Sequence, residues 1–224
     1  MAKRTEPRPR STHLTSSCRP EWKAIGVLPA PKLDTYRKTS SYFDVAQKRR
    51  SIRRQAPTDL EDVLALVREV FRVTVIDQDA GRRHKLPLSA GALHSVYPVL
   101  IPRGEGRAVA YDDEEDTFLE LAIDDPRALS EFERELLTVL PNALGEILLL
   151  VALPSRVEER YENWESLIWR DAGCALQCLA MTATATEISF CPYGLLGHDG
   201  ATAIFGMESE FLAVGAASIG LRQD

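Results

Sequence analysis

The densest set of chemically capable side chains in this sequence is Lys48, Arg49, Arg50, Ser51, Arg53 and Arg54. Guanidinium groups beside a hydroxyl can grip a phosphate through paired, charge-assisted hydrogen bonds. The same residues also read as a solvated basic run that continues the N-terminal stretch. A second segment, Pro87-Leu88-Ser89-Ala90-Gly91-Ala92-Leu93-His94, is rich in small residues, which let backbone amides approach a flat ligand closely. Taken alone it is equally a tight turn ahead of a strand that begins at Ser95.

Other chemistries find less support. Gly104 and Gly106 lack a third glycine at Val109 and fall in a hairpin turn, so the dinucleotide-binding fingerprint fails. Cys174 and Cys178 stand one helical turn apart, with Cys191 or His198 as the further ligands a metal would need. No second paired motif accompanies them, and no metal is expected. His198 sits in a Gly-rich loop and reads as exposed. There is no Gly-x-Ser-x-Gly motif and no Cys-His arrangement for nucleophilic catalysis.

The elements that must position these residues follow from hydrophobic spacing. Residues 1–40 mix Pro, Ser, Thr and basic residues without periodicity, which predicts a structureless mobile arm ahead of a domain over 41–224. A capping box of Thr58 and Glu61 opens a helix carrying Leu60, Val63, Leu64, Val67, Val70 and Phe71. Ser95 to Ile101 and Arg107 to Tyr111 read as a hairpin. Ser130 and Glu133 form a second capping box, for a helix with Phe132, Leu136, Leu137 and Leu140 that Pro141 stops. Glu146 to Leu153 is an unbroken apolar run, the pattern of a central strand covered on both faces, and Glu210 to Gly215 is another. Between them, Asp171 to Glu187 spreads small and apolar residues around the whole helical circumference, which predicts a helix buried on all sides. Strands and helices without regular alternation give an α+β class, a mixed sheet flanked by helices.

Bulk properties narrow the field further. The 224 residues are 45% hydrophobic and 27% charged, ordinary for a folded soluble protein, and suffice for one domain with an appendage. A net charge of −6 argues against a general nucleic-acid binder. No apolar stretch reaches the roughly 18–20 residues of a bilayer span, so no membrane association is expected. The start, with Lys3, Arg4, Arg8 and Arg10 broken by Pro7 and Pro9, has no apolar run behind it, and a cytoplasmic location with reduced thiols follows as an expectation.

Four segments together carry a family resemblance. Arg49-Arg50-Ser51-Ile52-Arg53 resembles the Arg-Arg-Ser-x-Arg signature near the start of nitroreductase-family proteins. Ser89 to His94 is similar to the Ser-Ala-Gly-Ala-Leu-His/Tyr loop of the SagB-type dehydrogenase branch. Asp171-Ala172-Gly173 with Gln177 resembles that branch's Asp-Ala-Gly-x-x-x-Gln helix, and Glu210 to Gly215 its closing strand. Leu88 and Ser95 stand where the branch has prolines, and Cys191 to Gly206 matches loosely.

The resemblance implies a nitroreductase-like fold and FMN shared across an intertwined homodimer. It assigns Arg49, Arg50, Ser51, Arg53 and Arg222 to the phosphate, Ser89, Ala90, Gly91, Leu93 and His94 to the flavin ring, and Gln177 to the ribityl chain or ring. It also implies azoline-to-azole oxidation of a peptide or other small-molecule substrate, with a partner enzyme of a biosynthetic complex conceivable. The branch's Lys-Tyr pair resembles Arg160-Tyr161. Such an oxidation needs a base for the acidic proton while hydride leaves the neighbouring carbon. Arginine stays protonated, but its charge favours a neighbouring phenolate, which leaves Tyr161 as the base. An ordinary NAD(P)H-dependent reductase and a binding subunit without chemistry stand as the alternatives.

Overall fold

The computed structural model describes residues 6–11, 19–33, 41–78 and 82–223. Lys3, Arg4 and Cys18 lie outside them. Two strands come from the stretch expected to be structureless. Arg8–Pro9 (β1) is short, and Ala24–Pro29 (β2) is an edge strand of the main sheet. The composition of the arm masks a local Ile-Gly-Val-Leu run whose β-propensity is realised once it pairs with a neighbour. Tyr42–Lys48 (α1) is capped by Ser41, whose Oγ accepts from the Asp44 amide at 3.2 Å, and Gln55–Ala56 (β3) follows.

Leu60–Phe71 (α2) buries the apolar face its spacing predicts, but its cap is Asp59 rather than Thr58. The Asp59 carboxylate accepts from the Glu61 amide at 3.0 Å, and an anion there also meets the positive end of the helix dipole. Val75–Asp77 (β4) and Arg82–His84 (β5) form a small hairpin ahead of a 3₁₀ turn at Ala90–Ala92. Val96–Ile101 (β6), Ala108–Asp112 (β7) and Thr117–Leu121 (β8) make an antiparallel meander, the first pair being the expected hairpin. Pro126–Val139 (α3) begins earlier than the Ser130 box suggests. Asp125 caps it, accepting from the amides of Arg127 and Ala128 at 3.0 Å, Pro126 occupies the first turn, and Ser130 lies inside the helix.

Glu146–Ala152 (β9) is the central strand, buried at every position. Pro154–Glu158 (α4), Tyr161–Glu162 (β10), Glu165–Ala185 (α5), Ser189–Pro192 (β11), His198–Phe205 (α6) and Leu212–Arg222 (β12) complete the chain. The sheet runs β11-β12-β9-β6-β7-β8-β2, with β3 added on the far part of β12. Its ladders are antiparallel where a mixed sheet was expected, and the parallel pairing among the described residues is an isolated bridge between Gln55 and Ala143.

Two cores sandwich the sheet. Leu148 and Leu150 of β9 pack with Val63, Leu66 and Val70 of α2 and Leu179 and Ala183 of α5. The alternate residues Ile147, Leu149 and Val151 pack with Leu129, Phe132 and Leu136 of α3 and Ile204 of α6. Each fully buried aliphatic side chain contributes roughly 1.5–3 kcal/mol to this three-layer arrangement. The α+β class thus stands.

The long helix departs from its expected burial. Ala172, Ala175, Leu179 and Ala183 are buried, but Ser166, Trp169, Arg170, Gly173 and Gln177 are exposed along the opposite side. Within one chain the helix has only the sheet and its neighbours to cover it, and one face stays open. No helix among the described residues is long and apolar enough to cross a membrane.

Candidate functional site

The small-residue loop is tied down from three sides. At its centre Ser89 Oγ donates to Asp171 Oδ2 at 2.6 Å, the Ala90 amide donates to the same carboxylate at 3.2 Å, and the His94 amide donates to Ser89 Oγ at 2.8 Å. Burial pushes the Asp171 carboxyl above its usual range, and the bonds from Ser89 and Ala90 oppose the shift. Gly91, Ala92 and His94 all take positive φ, at 61°, 55° and 50°. Strained backbone of this kind persists only where the surroundings over-determine it, and the Asp171 bonds do so here.

Tyr161 lies against the loop. A Cβ on Gly91 would sit 3.0 Å from the Tyr161 hydroxyl, so only glycine both suits the φ and leaves that space open. On the far side Arg156 of α4 donates through Nε to the Leu93 carbonyl, and through its terminal NH1 to the Tyr97 hydroxyl at 3.1 Å. Lys85, at the loop's start, is almost wholly buried, with Nζ 3.1 Å from the Asp113 carboxylate. Burial lowers its pKa and the Asp113 charge opposes the change. The His94 ring is buried as well. Desolvation first, and the Lys85 charge second, lower its pKa to about 4, so it is neutral at ordinary pH. The cavity lined by Lys85, Ser89, His94 and Asp171 measures about 10 Å³, near the room of one water. This end of the molecule is packed solid behind the loop.

The arginine stretch is built differently. Arg49 terminates α1, and Arg50 donates to the carbonyls of Gln47 and Arg49, both at 2.8 Å, which closes the C-terminal end of that helix. Ser51 and Arg53 are exposed. Antiparallel pairing of Arg222 with Gln55, and a bond from the Gln223 amide to the Arg54 carbonyl at 3.1 Å, bring the end of β12 beside them. Gln55 is the joint. Fully buried, it donates to the Ile52 carbonyl at 2.9 Å and accepts from Ser218 Oγ at 2.6 Å.

These two regions lie at opposite ends of the sheet. Val96, just after the loop, is level with Ala152 and so with Leu212, whereas Ile219 is level with Glu146 and Arg222 extends beyond it. Ten residue steps separate Leu212 from Arg222, one of them taken up by a bulge after Ala213, so the two levels stand about 30 Å apart along the strand. A single chain therefore brings Arg49, Arg50, Ser51, Arg53 and Arg222 together, and separately Ser89, Ala90, Gly91, Leu93, His94 and Tyr161, but does not bring the first set to the second.

Of the remaining residues, Gln177 is exposed on α5 six positions beyond Asp171, not buried as the helix pattern suggests. Arg160 is half-buried, and its carbonyl accepts from the Arg10 amide at 2.9 Å. Sequence reasoning missed Asp171 as the loop's anchor, and it missed Lys85, Asp113 and Arg156 altogether. Asp171 stood in a quoted motif, and a buried-helix carboxylate demands donors, which was the available signal. The other three act through contacts distant in sequence.

The fold has clear relatives among solved structures. A protein assigned as a nitroreductase from Ralstonia eutropha JMP134 matches over 99% of this chain and 97% of its own, with a TM-score of 0.67 at 16% identity. A second so assigned, from Desulfovibrio desulfuricans and crystallised in complex with FMN, matches over 84% and 89%, with a TM-score of 0.51 at 16% identity. A third, from Anabaena variabilis, matches over 88% of this chain but 41% of its own, with a TM-score of 0.59 at 14% identity. The sequence matches no protein-family model and no curated protein. The chain has the nitroreductase fold.

Proposed function

We propose that this chain is an FMN-dependent oxidoreductase whose cofactor sites are completed by a second copy of itself. The carrying observation is the separation just described: an arginine set and a small-residue loop, each assembled with care, stand farther apart than one flavin mononucleotide can reach. An intertwined homodimer resolves the mismatch, because the arginines of one protomer can meet the loop of its partner. The open face of α5, with Trp169 42% exposed, supports the same arrangement, since a second copy would cover it.

The residues present fit the group. Arg49, Arg53 and Arg222 would hold the phosphate, with Ser51 adding a hydroxyl, while amides of the loop at Ala90, Gly91 and Leu93 would face the ring. Arg50, engaged with helix carbonyls, would contribute charge, and exposed Gln177 would reach the cofactor only across the protomer boundary. His94 would support the loop from behind as a neutral ring. Bound FMN would accept or donate a hydride. Around it the chain's own tasks are to bind the phosphate, to hold the ring on a dry, rigid bed, and to present Tyr161 where a proton must leave or arrive.

The finer reading is a SagB-type dehydrogenase acting on an azoline in a peptide or other natural-product intermediate. Its support is Tyr161 on the Gly91 surface, the one hydroxyl so placed among the described site residues. The substrate's acidic proton would pass to Tyr161 acting as a phenolate, with Arg160 the adjacent charge, as hydride leaves the neighbouring carbon. The replacement of the branch's lysine by Arg160 keeps the second reading open, a reductase fed by NAD(P)H.

Purification tests the core of this. The protein is expected to be yellow, dimeric by light scattering, and to lose flavin when Arg49 and Arg53 are replaced by alanine. A folded dimer that stays colourless after FMN is added would end the proposal. Anaerobic bleaching by NAD(P)H within seconds would select the reductase, and Tyr161→Phe lowering turnover of an azoline peptide roughly 10²- to 10⁴-fold, to a still measurable rate, would select the dehydrogenase.

A further inference from the structure

The N-terminal residues 6–10 run along the one element that carries Tyr161. β1 pairs with β10 in antiparallel register, Arg8 opposite Glu162 and Pro9 opposite Tyr161. Arg10 extends the contact with its amide, which donates to the Arg160 carbonyl at 2.9 Å. Its guanidinium turns to the end of α4, where Nε donates to the Glu158 carbonyl at 2.7 Å. That carbonyl belongs to the last turn of a helix, where the chain offers acceptors without partners and a negative dipole end, so a cation is favoured there. At the other end of the pairing, Asn163 Nδ2 donates to the Glu6 carbonyl at 3.1 Å.

β10 is two residues long and, among the described residues, pairs with β1 alone. A two-stranded ribbon of this length has no stability of its own. It persists because its flanks are fixed: α4 is held to the loop through Arg156 and Leu93, and the turn from α4 into β10 is held by Arg10. Tyr161, half-buried and resting on Gly91, sits at the middle of this construction.

From this we infer that residues 6–10, anchored by Arg10, are a positioning element that holds Tyr161 against the Gly91 loop. The segment acts through Tyr161. The inference rests on the proposed role of the loop as the flavin bed, and it extends that role to a stretch of chain whose composition suggested no structure at all.

Hydrogen–deuterium exchange on the full-length chain tests it without any cofactor. Arg10→Pro removes both the amide donor and the guanidinium. Peptides covering 160–163 are expected to exchange roughly three- to tenfold faster, the effect of losing a net backbone hydrogen bond or two, and peptides covering 89–94 to follow. Arg10→Lys keeps the amide and a charge and should stay close to the unaltered protein. Should Arg10→Pro fail to fold, Arg10→Ala, which deletes only the guanidinium, gives the same comparison with a smaller change. Unchanged exchange at 160–163 overturns the inference, and so does loosening there that leaves 89–94 unmoved.

Turnover adds an independent readout. Arg10→Pro should lower kcat with KM nearly constant, and should cost nothing further when added to Tyr161→Phe, because both act through one hydroxyl. Additive losses would mean a merely structural role and would sink the idea. If the chain binds no flavin, the proposed function fails while the exchange result still decides the placement of Tyr161.

Discussion

The loop end and the arginine end of the sheet solve opposite problems. Behind the loop, Asp171, Arg156 and the Lys85–Asp113 pair fix the backbone from within, and the remaining cavity is the size of about one water. At the arginine end the backbone is fixed by Gln55, yet Ser51, Arg53 and Arg222 are exposed to solvent. A flat aromatic ring needs a dry bed of set shape, because its recognition depends on close backbone approach. A phosphate needs charge, and exposed guanidiniums supply it from a wet surface. On the proposed function, one ligand would be read by two kinds of site, one rigid and one electrostatic.

Replacement of Lys85 by alanine would break this contrast most sharply. It removes the nearest cation from Asp113 in a nearly buried place, and because Arg83 remains 3.5 Å from the same carboxylate, unfolding free energy measured in urea should fall by about 3 kcal/mol, the low end for a broken buried pair. A loss under 1 kcal/mol would show that the loop end is not braced as described. Asp171→Ala comes next. It removes the acceptor for Ser89 and Ala90, and FMN affinity by fluorescence titration should weaken about a hundredfold, near 3 kcal/mol.

His94 sharpens the contrast through pH. Its folded pKa of about 4 lies below the ordinary 6.5, so the unfolded chain binds the extra proton first. Its stabilising contribution is complete above pH 6.5 and declines as pH falls toward 4, by no more than about 3 kcal/mol. In His94→Asn, which tolerates the positive φ, that part of the acid decline in melting temperature should vanish. Arg53→Ala has the smallest expected effect. FMN affinity should drop roughly tenfold and lose part of its salt dependence, while stability moves by less than about 0.5 kcal/mol. A large loss of stability would erase the distinction between the ends.

Much of the frame was legible because it is local. Glu146 to Ala152 is apolar at nearly every position and became the central strand, and the turn at Gly104 and Gly106 became the hairpin. Helix starts were less so. Thr58 and Ser130 satisfy the capping pattern, but Asp59 and Asp125 compete with them, and a carboxylate against several free amides prevails. β2 was hidden by the composition around it, since an edge strand gains its stability from a partner distant in sequence. The site divided along the same line. The loop itself lies within one motif, whereas Lys85, Asp113 and Arg156 meet it only after folding. The open face of α5 could not be foreseen, because apolar composition says that a surface wants cover and not which chain provides it.

Gln55 has a consequence for how the molecule is made. Its partner Ser218 lies 163 residues farther along, and Gly145 and Gly220 let the strands close around it, since a Cβ on either would collide with backbone. While the ribosome is still adding the final strand, the early arginines have nothing to dock against. The arginine end is therefore among the last features a newborn chain can acquire, and on the proposed function a nascent polypeptide released short of that strand would have no means of seizing the phosphate.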